Sequence, residues 1–131
     1  MNIVKLLVWS VLLNTSWSLA QKTNTGPYIE NHGAVWKVEN KTIPLKKDFE
    51  YKVVFDIITT SNDPGVKNKN IDSAARFYNM LGQNGVAKNS IHVSLDIHSS
   101  ASKDIMNNQR YKSKYNINNP NTGVISELMA A

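Results

Sequence analysis

Residues 51–101 contain three runs whose order decides the fold: YKVVFDIITT (51–60), NIDSAARFYNMLGQNG (70–85) and SIHVSLDIHSSA (90–101). The first holds Val53, Val54, Phe55, Ile57 and Ile58 with only Asp56 interrupting, the near-continuous apolar pattern of a strand inside a parallel sheet. Lys52 to Ile58 is therefore read as the first core strand. From Asn70, read as the helix cap, Ile71, Ala74, Phe77, Tyr78 and Leu81 recur at helical spacing and define one buried stripe. Polar Asp72, Ser73, Arg76, Asn79 and Gln83 occupy the rest, and Gly82 and Gly85 end the helix, with Gly85 in the left-handed position. A second strand begins near Ser90. Strand, helix, strand in this order is a βαβ unit: a parallel pair needs a crossover, and such sheets are normally covered on both faces. The fold class expected is α/β.

The second strand alternates, with Ile91, Val93, Leu95 and Ile97 on one face and His92, Ser94, Asp96 and His98 on the other. If both faces were covered, Asp96 would be a buried carboxylate, costly unless paired. Either the strand is half exposed or Asp96 weakens the fold. Between the first strand and the helix, TTSNDPGVKN (59–68) carries Asp63-Pro64-Gly65, a turn in which proline fixes one dihedral and glycine accepts a positive one. Beyond Ala101, Lys103 to Asn108 is read as one or two helical turns. Arg110 to Tyr115 (RYKSKY) is read as a solvated loop, and Thr122 as the cap of a final helix through Val124, Ile125, Leu128 and Met129.

Upstream, residues 1–20 have the features of an export signal. Lys5 is their only charge, Ile3 to Leu13 is mostly apolar, and Ser18-Leu19-Ala20 supplies small residues at the cleavage-determining positions. Cleavage is expected after Ala20, with a periplasmic or secreted product. The apolar run is shorter than the roughly 20 residues that span a bilayer, so no stable membrane anchor is expected once the signal is removed. Gln21 to Gly33 is polar and turn-rich and reads as a mobile leader. Ala34 to Val38 is a candidate edge strand. The resulting organisation is 1–20 signal, 21–50 leader with the candidate edge strand, and 51–131 a partial α/β domain.

Composition narrows the chemistry. The 131 residues include no cysteine, which removes thiolate nucleophiles, persulfide carriers and cysteine-ligated zinc. The net charge of +5 is spread over scattered lysines, and only RYKSKY approaches the basic and aromatic clustering of a nucleic-acid surface; no nucleic-acid partner is expected. Asparagine is frequent at 107–108 and 116–121, a bias that gene composition explains as readily as structure.

The strand-helix-strand run of 51–101, ending in Ile97-His98-Ser99-Ser100, resembles the DsrE/DsrF-like family of small sulfur-relay-type proteins in its exported form. The resemblance implies a three-layer DsrE-like (flavodoxin-like) parallel sheet, and homo-oligomers or family-type hetero-oligomers. It also implies a third core strand after the helix at 124–131, with a cysteine at or just beyond its end. This chain is therefore expected to be a shortened member whose sheet is incomplete at the C-terminal end. Two departures stand out. The family strand commonly ends in an apolar-His-Gly pattern, where this chain has serine, and Asp96 stands where an aliphatic residue is expected. The functional expectation is an exported, non-catalytic domain acting through oligomer or partner contacts. The alternatives are the front part of a cysteine-dependent sulfur carrier or sulfurtransferase, and a periplasmic small-ligand or metal-binding protein.

The candidate site gathers His98, Ser99 and Ser100 at the carboxyl end of the second strand, where open α/β sheets bind ligands, together with Asp56. The resemblance makes His98 part of a small pocket facing the family's cysteine. Asp96 and His98, neighbours on one strand face, are candidate metal ligands, but only two, where zinc usually takes three or four. A Ser-His nucleophile is disfavoured because adjacent strand residues point to opposite faces, so His98 and Ser99 should not meet. The loop at 59–65 offers backbone amides to an anion but has no phosphate-binding motif. No cofactor is expected.

Overall fold

The computed structural model describes residues 25–131; the expected signal and its cleavage point lie outside them. Two strands, β1 (Tyr51–Ile57) and β2 (Ile91–Ile97), pair in parallel from Tyr51 opposite Ile91 to Ile57 opposite Ile97. Helix α1 (Lys69–Gln83) is the crossover between them. Short 3-10 segments at Lys88–Ser90 and Ser99–Ile105 flank β2, and α2 (Asn108–Tyr115) and α3 (Thr122–Ala130) follow. The molecule is thus mixed α/β around a two-stranded parallel sheet.

Only one face of that sheet is covered among the described residues. Tyr51, Val53, Phe55, Val93, Leu95 and Ile97 pack against a core of Ile57, Ile71, Ala75, Tyr78, Leu81, Ile91 and Val124, and Phe55 meets Phe77 of α1 edge to face. Lys52, Val54, Asp56, His92, Ser94 and Asp96 are all exposed on the opposite face. Asp96 therefore carries no burial penalty. β1 is not the interior strand its apolar run suggests: Val54 is 66% exposed and Ile58 47%.

Helix α1 is sandwiched, which explains why its buried set is wider than one stripe. It packs on β1 and β2 on one side and on α3 on another, and buries Ala75 and Asn79 beside Ile71, Ala74, Tyr78 and Leu81. Its cap is Asn68 and not Asn70: the Asn68 side chain accepts from the Asn70 amide at 2.9 Å. Gly85 takes the left-handed conformation after the helix, at φ +83°.

The leader is not mobile where it is described. Ile29 is fully buried in the core, held by Asn79. That side chain accepts from the backbone of Tyr28 and Ile29 at 3.2 and 2.8 Å and donates to the carbonyls of Ile29, His32 and Gly33 at 3.0 to 3.1 Å. One buried amide thus satisfies five backbone groups of a segment that makes no regular structure. Gly33 crosses α1 so closely that a Cβ there would lie 2.3 Å from the Ala75 carbonyl carbon. The stretch at 34–38 forms no strand; Val35 makes a single bridge and is buried.

The C-terminal third also departs from expectation. Residues 110–115 lie in α2, capped by Asn107 accepting from Arg110 N at 2.9 Å and closed by Asn116 in the left-handed region. Tyr111 is its one buried residue. Burial, reinforced by the nearby Asp104 carboxylate, raises the Tyr111 phenol's pKa above its ordinary value, so it stays a neutral donor to Pro64 O at 2.8 Å. Thr122 is the first residue of α3 and its side chain turns to Asn108; it is not the cap.

Candidate functional site

The parallel register fixes which groups meet at the carboxyl end of the sheet. Asp56 and Asp96 stand directly opposite each other, and His98, one residue past β2, continues on the same exposed face; its amide still bonds Ile57 O at 3.1 Å. The His98 Nε2 lies 2.8 Å from Asp56 Oδ1. Donor atoms of Asp56, Asp96 and His98 all fall within 4.8 Å of one another, so among the described residues these three form a group able to share a cation. Asp56, forty-two positions before His98, is the ligand that the reading of a single strand could not supply.

His98 and Ser99 do meet, contrary to expectation. Ser99 has φ +55°, so the strand breaks there and the alternation no longer governs its side chain. Its Oγ lies 3.3 Å from His98 Nδ1. Ser100 is drawn elsewhere, donating to Ile58 O at 3.0 Å. Of the four expected pocket residues, Asp56, His98 and Ser99 form one chain of contacts and Ser100 stands apart. All four are exposed. An Asp56–His98–Ser99 chain has the order of a hydrolytic triad, but all three residues lie open to water, where fixed dipoles stabilise a developing charge far less than in an enclosed site.

A groove of about 390 Å³ at the amino end of α1, lined by residues 59–61 and 66–70, occupies the loop considered for an anion. Its walls are set by a buried polar network that the sequence did not announce. Asp104, 1% exposed, accepts from Thr60 Oγ1 at 2.9 Å and from Asn68 Nδ2 at 2.7 Å. Asn121 accepts from Asn68 N at 2.7 Å, and Asn119 donates to Asp104 O and Met106 O. These asparagines are where the composition bias becomes structure: each amide supplies donors and an acceptor to loops that lack a ladder. The network leaves no buried side-chain polar atom unpartnered among the described residues, so it reads as scaffold for the βα loop.

A second tie joins the leader to α3. Glu127 receives the Asn31 backbone and side chain at 3.1 and 2.8 Å and lies 3.1 Å from His32 Nδ1. Desolvation acts to raise its pKa, but the Asn31 hydrogen bonds and then His32 outweigh it, and the carboxyl sits below its ordinary value.

Among the described residues no helix is long and apolar enough to cross a membrane. Comparison with family models, with curated proteins and with solved structures finds no match to this chain.

Proposed function

We propose that the chain is an exported α/β domain of the DsrE/DsrF-like kind that works by binding and not by sulfur chemistry, and that it binds a second copy of itself through the bare sheet face. The parallel βαβ unit with its helices on one side supports the first half, as does the lack of any cysteine to carry a persulfide. In this reading the two-stranded sheet is the kernel of the three-layer arrangement, and the second copy covers the face left open.

The observation that carries the self-contact is the order of charges on that face. Lys52 is opposite His92, Val54 opposite Ser94, and Asp56 opposite Asp96, so the face carries its two basic side chains at one end, Lys52 sharing its charge with Glu50 at 2.8 Å, an uncharged pair in the middle and two carboxylates at the other end. A twofold axis through the Val54–Ser94 pair sets Lys52 against Asp56 of the second copy and His92 against its Asp96, the self-complementarity of an isologous dimer. Seven residues of two strands span about 23 Å by 10 Å, well below a standard interface. The contact is therefore weak, concentration-dependent and salt-sensitive. Sedimentation equilibrium of the full chain at low and high salt tests it: association that weakens with salt is expected, and a monomer under both conditions overturns it.

A further inference from the structure

We propose that Asp56, Asp96 and His98 form a three-ligand site for a divalent first-row cation of the zinc type, with the remaining coordination position open to water. The argument rests on the register. Two carboxylates directly opposite on neighbouring strands repel, and in this chain the pairing forces that arrangement on Asp56 and Asp96. Among the described residues the one ion-pair partner of either is His98, on Asp56; no lysine or arginine lies within ion-pair distance of them. A local rule broken on an exposed face, with an imidazole set beside it, is the kind of inconsistency that a bound ligand resolves.

The geometry suits the ion. Around a tetrahedral zinc with bonds of about 2.0 to 2.1 Å, donor atoms stand about 3.4 Å apart. The three donors here, 2.8 Å apart for Asp56 and His98 and within 4.8 Å throughout, bracket that spacing. Two carboxylates and one imidazole are a donor set that zinc accepts. Ser99 completes the arrangement. With a cation on Nε2 the neutral ring carries its one proton on Nδ1, from which it donates to Ser99 Oγ, 3.3 Å away. The serine, brought alongside by its positive φ, accepts from the tautomer that leaves the Nε2 lone pair for the metal. His92, at the basic end beside Lys52, takes no part.

The test is a zinc chloride titration of the full chain at neutral pH, followed by calorimetry and by the histidine ring resonances. One equivalent is expected to bind, shifting the His98 ring and leaving His92 and His32 in place. Asp56→Asn and Asp96→Asn each weaken binding roughly tenfold or more, His98→Gln removes it, and His92→Gln leaves it unchanged. All of the substituted side chains are exposed, and far-UV circular dichroism confirms that each variant is folded. An unmoved His98 ring, or Asp56→Asn and Asp96→Asn binding as tightly as the native chain, overturns the site. A bound cation neutralises the acidic end of the sheet face, so the self-contact is measured separately, on the chelator-treated chain, where Lys52 is its own test.

Discussion

The side-chain oxygen of Asn79 stands 2.8 Å from the backbone nitrogen of Ile29, fifty positions earlier, and through that bond an irregular leader becomes part of the core. Asn79→Leu keeps the branched outline, though it is larger, and removes every hydrogen-bonding group. The backbone amides of Tyr28 and Ile29 and three carbonyls then lose theirs, and a buried unpaired group costs about 1 to 3 kcal/mol. Because the leader can swing out and rehydrate, the expected loss is about 2 to 4 kcal/mol. It is read from urea unfolding, with protease cleavage appearing between residues 26 and 33. Native-like stability with an uncut leader would refute this role of Asn79.

Gly82 lies inside α1, where alanine is ordinarily the better residue by close to 1 kcal/mol. Here a Cβ would stand 2.4 Å from the Tyr28 ring and 2.9 Å from Pro27 Cγ. Tyr28 cannot turn away without giving up its hydroxyl bond to Val86 O at 2.8 Å. Gly82→Ala is therefore expected to lower the thermal midpoint; a rise would show that the leader yields easily.

Glu127 gives stability a pH dependence with a definite sign. Its folded pKa lies below the ordinary 4.5, so its contribution is fully present above that value and is lost as pH falls through the folded pKa. Glu127→Gln should therefore be less stable than the native chain at neutral pH, with the gap closing on acidification below 4.5. A gap that stays constant across the acid range would remove Glu127 from the account.

Asp104 tests the loop scaffold. Both of its carboxylate oxygens accept from neutral donors, Thr60 and Asn68, so Asp104→Ala leaves the Thr60 hydroxyl and an Asn68 amide N–H without that partner. A loss of about 1 to 3 kcal/mol is expected, with faster amide exchange across residues 59–68. Unchanged exchange there would separate Asp104 from the groove.

The elements legible in the sequence were those with strong periodicity. The apolar runs and the 70–81 stripe gave both strands and α1 to within a residue or two, and the alternation of β2 left open the half-exposed strand that the structure has. What stayed hidden was set by long-range polar contacts. Asn79 reads as surface until the leader is docked on it, and Asn68, Asn119 and Asn121 read as loop composition until Asp104 is buried among them. Helix α2 was missed because only Tyr111 of its eight residues is buried, too little to leave a stripe. The candidate site was partly legible: His98 and Asp96 follow from one strand, but the place of Asp56 follows from register, and the contact with Ser99 follows from a backbone turn that alternation does not foresee.

The central claim, self-contact by a twofold pairing of the bare sheet face, is tested most directly by exchanging its charges. Lys52→Glu alone sets like charges against each other across the axis and should abolish association, as should Asp56→Lys alone. The doubly substituted chain, Lys52→Glu with Asp56→Lys, restores complementarity between copies. Sedimentation equilibrium is expected to find both single variants monomeric and the double variant associated as the native chain is. A double variant that remains monomeric while the native chain associates, or single variants that associate normally, would contradict the account.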